Sequence, residues 1–96
     1  MMAYSVTFWL FVQHAKGDIC FVRYADLPFV PYPGLDIHDD AVGQFRLDEV
    51  AWDADEQMFF CQANWTLWAD KSLRTVRKHM KAGDWEEEKI VNEEEV

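Results

Sequence analysis

The stretch from Gln44 to Trp65 constrains this chain most. Two apolar, aromatic-rich runs, Gln44–Trp52 and Gln57–Trp65, flank the acidic break Asp53-Ala54-Asp55-Glu56. That pattern predicts strand, turn, strand. In the second arm Phe59, Cys61, Ala63 and Trp65 share one face, while Met58 and Phe60 share the other with Gln62 and Asn64. In the first arm Phe45 and Leu47 share a face, but Val50 and Trp52 then form the apolar pair. The alternation slips by one at Asp48-Glu49. A β-bulge inserts one residue and produces such a slip. The expectation is a bent hairpin whose Val50, Trp52, Phe59, Cys61 and Trp65 fill the interior.

Upstream, Tyr4 to Gln13 is β-branched and aromatic, too short and too β-rich for a helix. Val6, Phe8, Leu10 and Val12 lie on one face, Trp9 and Phe11 on the other. A strand apolar on both faces is central, covered by another element, or open to a partner. His14 to Asp18 supplies a turn with Gly17, and Ile19 to Ala25 a second strand. There Ile19, Phe21 and Arg23 share one face; Cys20, Val22 and Tyr24 share the other. The two strands should form an antiparallel hairpin.

Prolines 28, 31 and 33 then exclude helix and central strand, and predict a stiff extended crossover. Leu35-Asp36-Ile37 is a short third strand, and 38–43 a polar loop. Residues 70–82 predict the one helix. Asp70 is its N-cap, Leu73, Val76 and Met80 its apolar stripe, and Gly83 its C-terminal stop. Its polar positions Lys71, Arg74, Arg77, Lys78 and Lys81 are basic. Residues 84–96 carry seven acids against one Lys and predict a frayed tail, although Trp85 can fold back on the helix stripe. The domain is therefore 1–83, with the acidic tail following.

The order hairpin, proline crossover, hairpin, helix resembles the general plan of SH3-like small barrels. The expected class is α+β: a small bent antiparallel sheet or SH3-like barrel of about five strands with one C-terminal helix. The likeness is architectural and carries no functional residue with it.

Composition narrows function more than it names it. Half of the 96 residues are hydrophobic, with five Trp and seven Phe, so a core forms without disulfide or metal. Two cysteines do not make a disulfide scaffold; they read as buried hydrophobes of a cytoplasmic protein. The apolar run 6–12 is too short to span a bilayer, and no basic residue precedes it as in a secretion signal. A net charge of −9 disfavours direct binding to nucleic acid or an anionic membrane.

Asp36-x-His38-Asp39-Asp40 is the most ligand-like cluster, but it lacks the spacing of a Ca²⁺ loop or a closed Zn²⁺ set, so no metal or cofactor is assigned. His14 and His79 have no evident carboxylate to orient them, and neither Cys20 nor Cys61 sits in an electropositive setting. No nucleophile-elbow, P-loop, HExxH or dinucleotide motif occurs. The basic helix is explained by pairing with the acidic tail or sheet surface. No catalytic residue is assigned, and the expectation is a non-enzyme.

Three functions remain. The first is a protein-interaction module, self-associating as a homodimer or binding another protein, through Trp9 and Phe11 or through the rigid Phe29–Tyr32 loop. That loop also reads as a lid over the core. The second is an acidic inhibitor that mimics nucleic-acid charge, as some phage proteins do. The third is a small-ligand-binding barrel with a polar cavity at His14, His38 or Tyr24.

Overall fold

The computed structural model describes residues 3–13, 19–65 and 72–88. Its elements are β1 (Tyr4–Val12), β2 (Ile19–Leu27), β3 (Asp36–Asp39), β4 (Gly43–Arg46), β5 (Glu49–Asp53), β6 (Met58–Trp65), α1 (Leu73–Ala82) and β7 (Glu86–Glu88). The turn expected at 14–18 lies outside the described residues. The strands it would join pair antiparallel from Tyr4↔Leu27 to Val12↔Ile19.

On its other side β1 meets β6, and here the expectation fails. β6 runs parallel to β1, with Val6 opposite Phe59 and Val12 opposite Trp65. With β5 antiparallel to β6 and β7 antiparallel to β2, the five-stranded sheet has the order β5-β6-β1-β2-β7. It is a mixed, open sheet rather than an antiparallel one, and the barrel closure is not seen among the described residues. Strand periodicity reports the two faces of a strand and is silent on the direction of its neighbour. Direction is set here by the path between β2 and β5. Residues 28–34 leave the end of β2, and the β3–β4 hairpin (a separate two-stranded sheet) returns the chain to the other side of β1.

Register assigns every side chain to a face. Val6, Phe8, Leu10 and Val12 stand with Ile19, Phe21, Cys61, Ala63 and Trp65 on the core face. Val42, Phe45 and Leu47 from the hairpin region, Val76 and Met80 from α1, and Trp85 close over it in one apolar cluster. Each fully buried aliphatic or aromatic side chain there contributes about 1.5–3 kcal/mol relative to exposure. Phe45 links the layers, edge-on to Phe8 at 5.7 Å and to Trp85 at 5.9 Å.

The slip at Asp48-Glu49 is not a bulge within one hairpin arm. It is where the chain changes partners. β4 pairs with β3, and Leu47 continues that ladder by exchanging hydrogen bonds with Gly34 and Leu35. Asp48 N–H then donates to Gln62 O, and β5 begins against β6. A bulge and a change of partner leave the same phase shift in sequence. Of the five expected interior residues, Cys61 and Trp65 are buried and Val50 and Phe59 partly so. Trp52 is 56% exposed: it sits on the edge strand, against the Phe59 ring at 4.9 Å.

The helix begins at Leu73, with Ser72 as its N-cap accepting from Thr75 N–H. Asp70 lies outside the described residues. The stripe is as expected, with Val76 and Met80 buried. The helix stops at Gly83 as expected, with the Gly83 N–H donating to Met80 O, but Gly83 is not the left-handed residue. Its φ is −96°, and the left-handed residue is Asp84 at φ 69°. What position 83 requires is the missing side chain, because a Cβ there would overlap Ala41 in the β3–β4 turn. The acidic segment then continues as structure. Trp85 is buried and residues 86–88 form β7 on β2, so the part of the expected tail that is described is sheet. The rest, 89–96, lies outside the described residues.

Candidate protein-interaction surface

The four residues expected to meet a partner fall on two separate surfaces. Trp9 and Phe11 lie on the sheet face opposite the core, both partly buried. Phe29 and Tyr32 lie on residues 28–34, the strap that crosses from β2 to the side of β6 with the hairpin layer. Its far end is held by Gly34 N–H to Leu47 O, and Leu35 N–H donates to Tyr32 O. Pro31 is buried while Phe29, Val30 and Tyr32 are exposed. The strap thus buries its central proline and presents its other side chains outward.

The face around Trp9 is built by register. Thr7, Trp9 and Phe11 of β1 stand beside Cys20, Val22 and Tyr24 of β2 and Met58, Phe60 and Gln62 of β6. Trp9 meets Phe60 edge-on at 5.9 Å, and its Nε1 is buried without an acceptor among the described residues. Thr7 Oγ1 donates to Met58 Sδ at 2.8 Å. Thr7, Cys20 and Val22 are buried, whereas Tyr24 stands 67% exposed. Among the described residues no element packs on this face, since α1 and the β3–β4 hairpin both occupy the other. Tyr24 was expected at a ligand cavity, not among the partner-contacting residues. The sequence places it on the face of Cys20 and Val22, but only the β1–β2 register puts that face level with Trp9.

Groups with chemical potential are otherwise engaged. Cys20 and Cys61 occupy opposite faces of the sheet, so they cannot bridge. Burial pushes both thiols up to about 11, with the charge of Glu88 adding at Cys20, and keeps them protonated. The Asp36–Asp40 cluster is dispersed by its own cations. Arg46 grips Asp36 with two N–H groups, at 2.9 and 3.2 Å, and that contact holds the Asp36 carboxyl below the usual carboxylate range. Asp39 turns inward to Arg23, Ala41 N–H, Val42 N–H and Trp85 Nε1. Among the described residues no group of three or more His, Cys, Asp and Glu side chains is placed to hold a metal ion.

Two recesses flank this knot. One, about 190 Å³, is lined by Phe8, Arg23, His38, Asp39, Phe45 and Trp85 among others. It is smaller than the roughly 300–1,000 Å³ typical of ligand sites. The other, about 390 Å³, lies between α1 and β7, where Arg77 grips Glu87 with two N–H groups at 2.8 and 3.1 Å. That pairing is the one expected between the basic helix and the acidic segment. His79 Nε2 also donates to Ala41 O at 2.6 Å. His14 lies outside the described residues.

Comparison with protein-family models, with curated proteins and with solved structures found no match. No helix among the described residues is long and apolar enough to cross a membrane.

Proposed function

We propose that this chain is a non-enzymatic, cytoplasmic protein-interaction module that engages its partner through the sheet face around Trp9, Phe11 and Tyr24. The observation that carries the reading is that face itself: an aromatic surface on the central strands on which no described element packs, backed by a closed core. Tyr24, 67% exposed, has the most surface to bury there against a partner, with smaller shares from the partly buried Trp9 and Phe11, and aromatic rings dominate binding energy when they are central. The exposed strap residues Phe29, Val30 and Tyr32 offer a second contact, outside the sheet.

The test is a photo-crosslinking amino acid placed at position 24 or at position 32 of the full chain in its native host. The reading expects a discrete adduct from position 24. Adducts only from position 32 would move the site to the strap, and none from either position would end the reading.

A second reading, an acidic inhibitor of a basic enzyme, is favoured by charge placement. The charged residues described on the sheet face are all acids, while the described cations lie on α1, the β3–β4 hairpin and the core side. Pure charge mimicry, however, has no use for the aromatic centre.

A further inference from the structure

The face opposite the core, on which no described element packs, is patterned in charge as well as in polarity. By register, Glu49 and Asp53 of edge strand β5 point to it, as do Glu86 and Glu88 of edge strand β7. Between these acidic edges run β6, β1 and β2, whose residues on this face are mainly apolar or uncharged; Asp26, at the end of β2, is the exception. No described Lys, Arg or His shares the face. Arg23 is opposite Phe8 on the core side, Arg46 and His38 are in the β3–β4 hairpin, and the remainder are on α1.

Dimensions narrow the occupant. Adjacent strands lie about 4.8 Å apart, so the lane over β6, β1 and β2 is roughly 10 Å wide. An α-helix with its side chains is about 10–12 Å across. The nine residues of β1 give the lane a length of roughly 30 Å, about 20 residues of helix. A helix lying along the lane would hold its flanks over the two acidic edges.

We propose that this face docks an amphipathic helix of another protein. Its apolar stripe would lie on Trp9, Phe11, Phe60 and the exposed Tyr24, with Lys or Arg on both flanks beside the β5 and β7 carboxylates. The proposal rests on the interaction reading above and specifies the chemistry of the partner. A second copy of this chain does not fit. Two such faces pressed together set acid against acid, and α1 has already spent its apolar stripe on its own core. Nucleic acid and anionic lipid meet the wrong charge.

The experiment titrates isotope-labelled full-length protein with an 18-residue Leu/Lys peptide whose Leu residues form one helical stripe. Control peptides carry the same composition scrambled, or Glu in place of Lys. The proposal expects saturable binding that shifts the Trp9 indole N–H resonance, with both controls at least tenfold weaker. Glu86→Gln with Glu88→Gln should weaken binding about fivefold at low salt, at about 0.5 kcal/mol per exposed pair, and less at high salt. Phe29→Ser should leave it unchanged.

Equal binding of the scrambled peptide, or shifts confined to the strap or α1, would overturn the proposal. So would contacts from Trp9 to residues 66–71 or 89–96 in the free protein, because the chain would then cover its own face. If the peptide fails while position 24 still crosslinks a natural partner, the partner chemistry is wrong and the interaction reading stands. Failure of both removes both.

Discussion

Asp39 is the residue whose loss should cost the fold most for its size. Its side chain is 6% exposed and anchors the β3–β4 turn to the sheet and to Trp85. Asp39→Ala removes one acceptor and strands several donors. Val42 N–H and Trp85 Nε1 belong to buried residues, and each buried donor left without a partner costs about 1–3 kcal/mol. Arg23, about a third exposed, recovers water and adds little. The sum is about 3 kcal/mol, a large share of the roughly 5–15 kcal/mol of a typical domain. Arg23→Met leaves the carboxylate with its other donors and should cost only about 1 kcal/mol. Urea denaturation followed by tryptophan fluorescence measures both, with an unchanged slope required for the comparison. The asymmetry is the test. If Asp39→Ala costs no more than Arg23→Met, the turn is not organised by this carboxylate.

Three further outcomes follow from the same geometry. Gly83→Ala should destabilise by about 1–3 kcal/mol, because its Cβ overlaps Ala41 and one of two packed turns must move; a neutral effect in thermal melts contradicts the close approach. Asp84→Gly should stabilise by up to about 1 kcal/mol, since a left-handed φ of 69° suits glycine better than aspartate; destabilisation in the same melts would show that the Asp side chain contributes more than the backbone costs. The two thiols are held neutral by burial, their values raised from 9.0 to about 11. Their contribution is therefore complete below pH 9 and is lost as pH rises through about 11. Urea midpoints should fall over that range, less steeply in Cys20→Ala, and both native thiols should resist a disulfide reagent at pH 8; an equal slope in the variant counts against the account.

What the sequence shows of this protein follows from what side-chain periodicity encodes. The faces of β1, β2 and β6 are legible because a two-residue alternation is local. The pairing of β1 with β6 is not, because a parallel neighbour some fifty residues away leaves no local mark. The phase slip at Asp48-Glu49 is real, yet its cause is a change of partner from β3 to β6, which only tertiary contacts reveal. Glu86 to Glu88 read as tail because three acids have nothing to bury; the strand forms because Trp85 is anchored in the core and the β2 edge offers backbone partners. For the site, Trp9 and Phe11 stand out as surplus apolar residues. Joining Tyr24 to them required the register, whereas Phe29 and Tyr32 lie outside the sheet altogether. The acidic edges were invisible as a pattern until β5 and β7 were known to flank the same sheet.

The most direct test is the affinity of the purified crosslinked partner for the wild-type chain and for Tyr24→Arg. Tyr24 is exposed, so the change leaves the core intact, and it sets a cation on β2 beside the lane's central strand. The account predicts at least a tenfold loss of affinity with an unchanged melting temperature, while Phe29→Ser with Tyr32→Ser has little effect. Undiminished binding by Tyr24→Arg, or loss only in the strap variant, would contradict the claim that this protein works through the sheet face opposite its core.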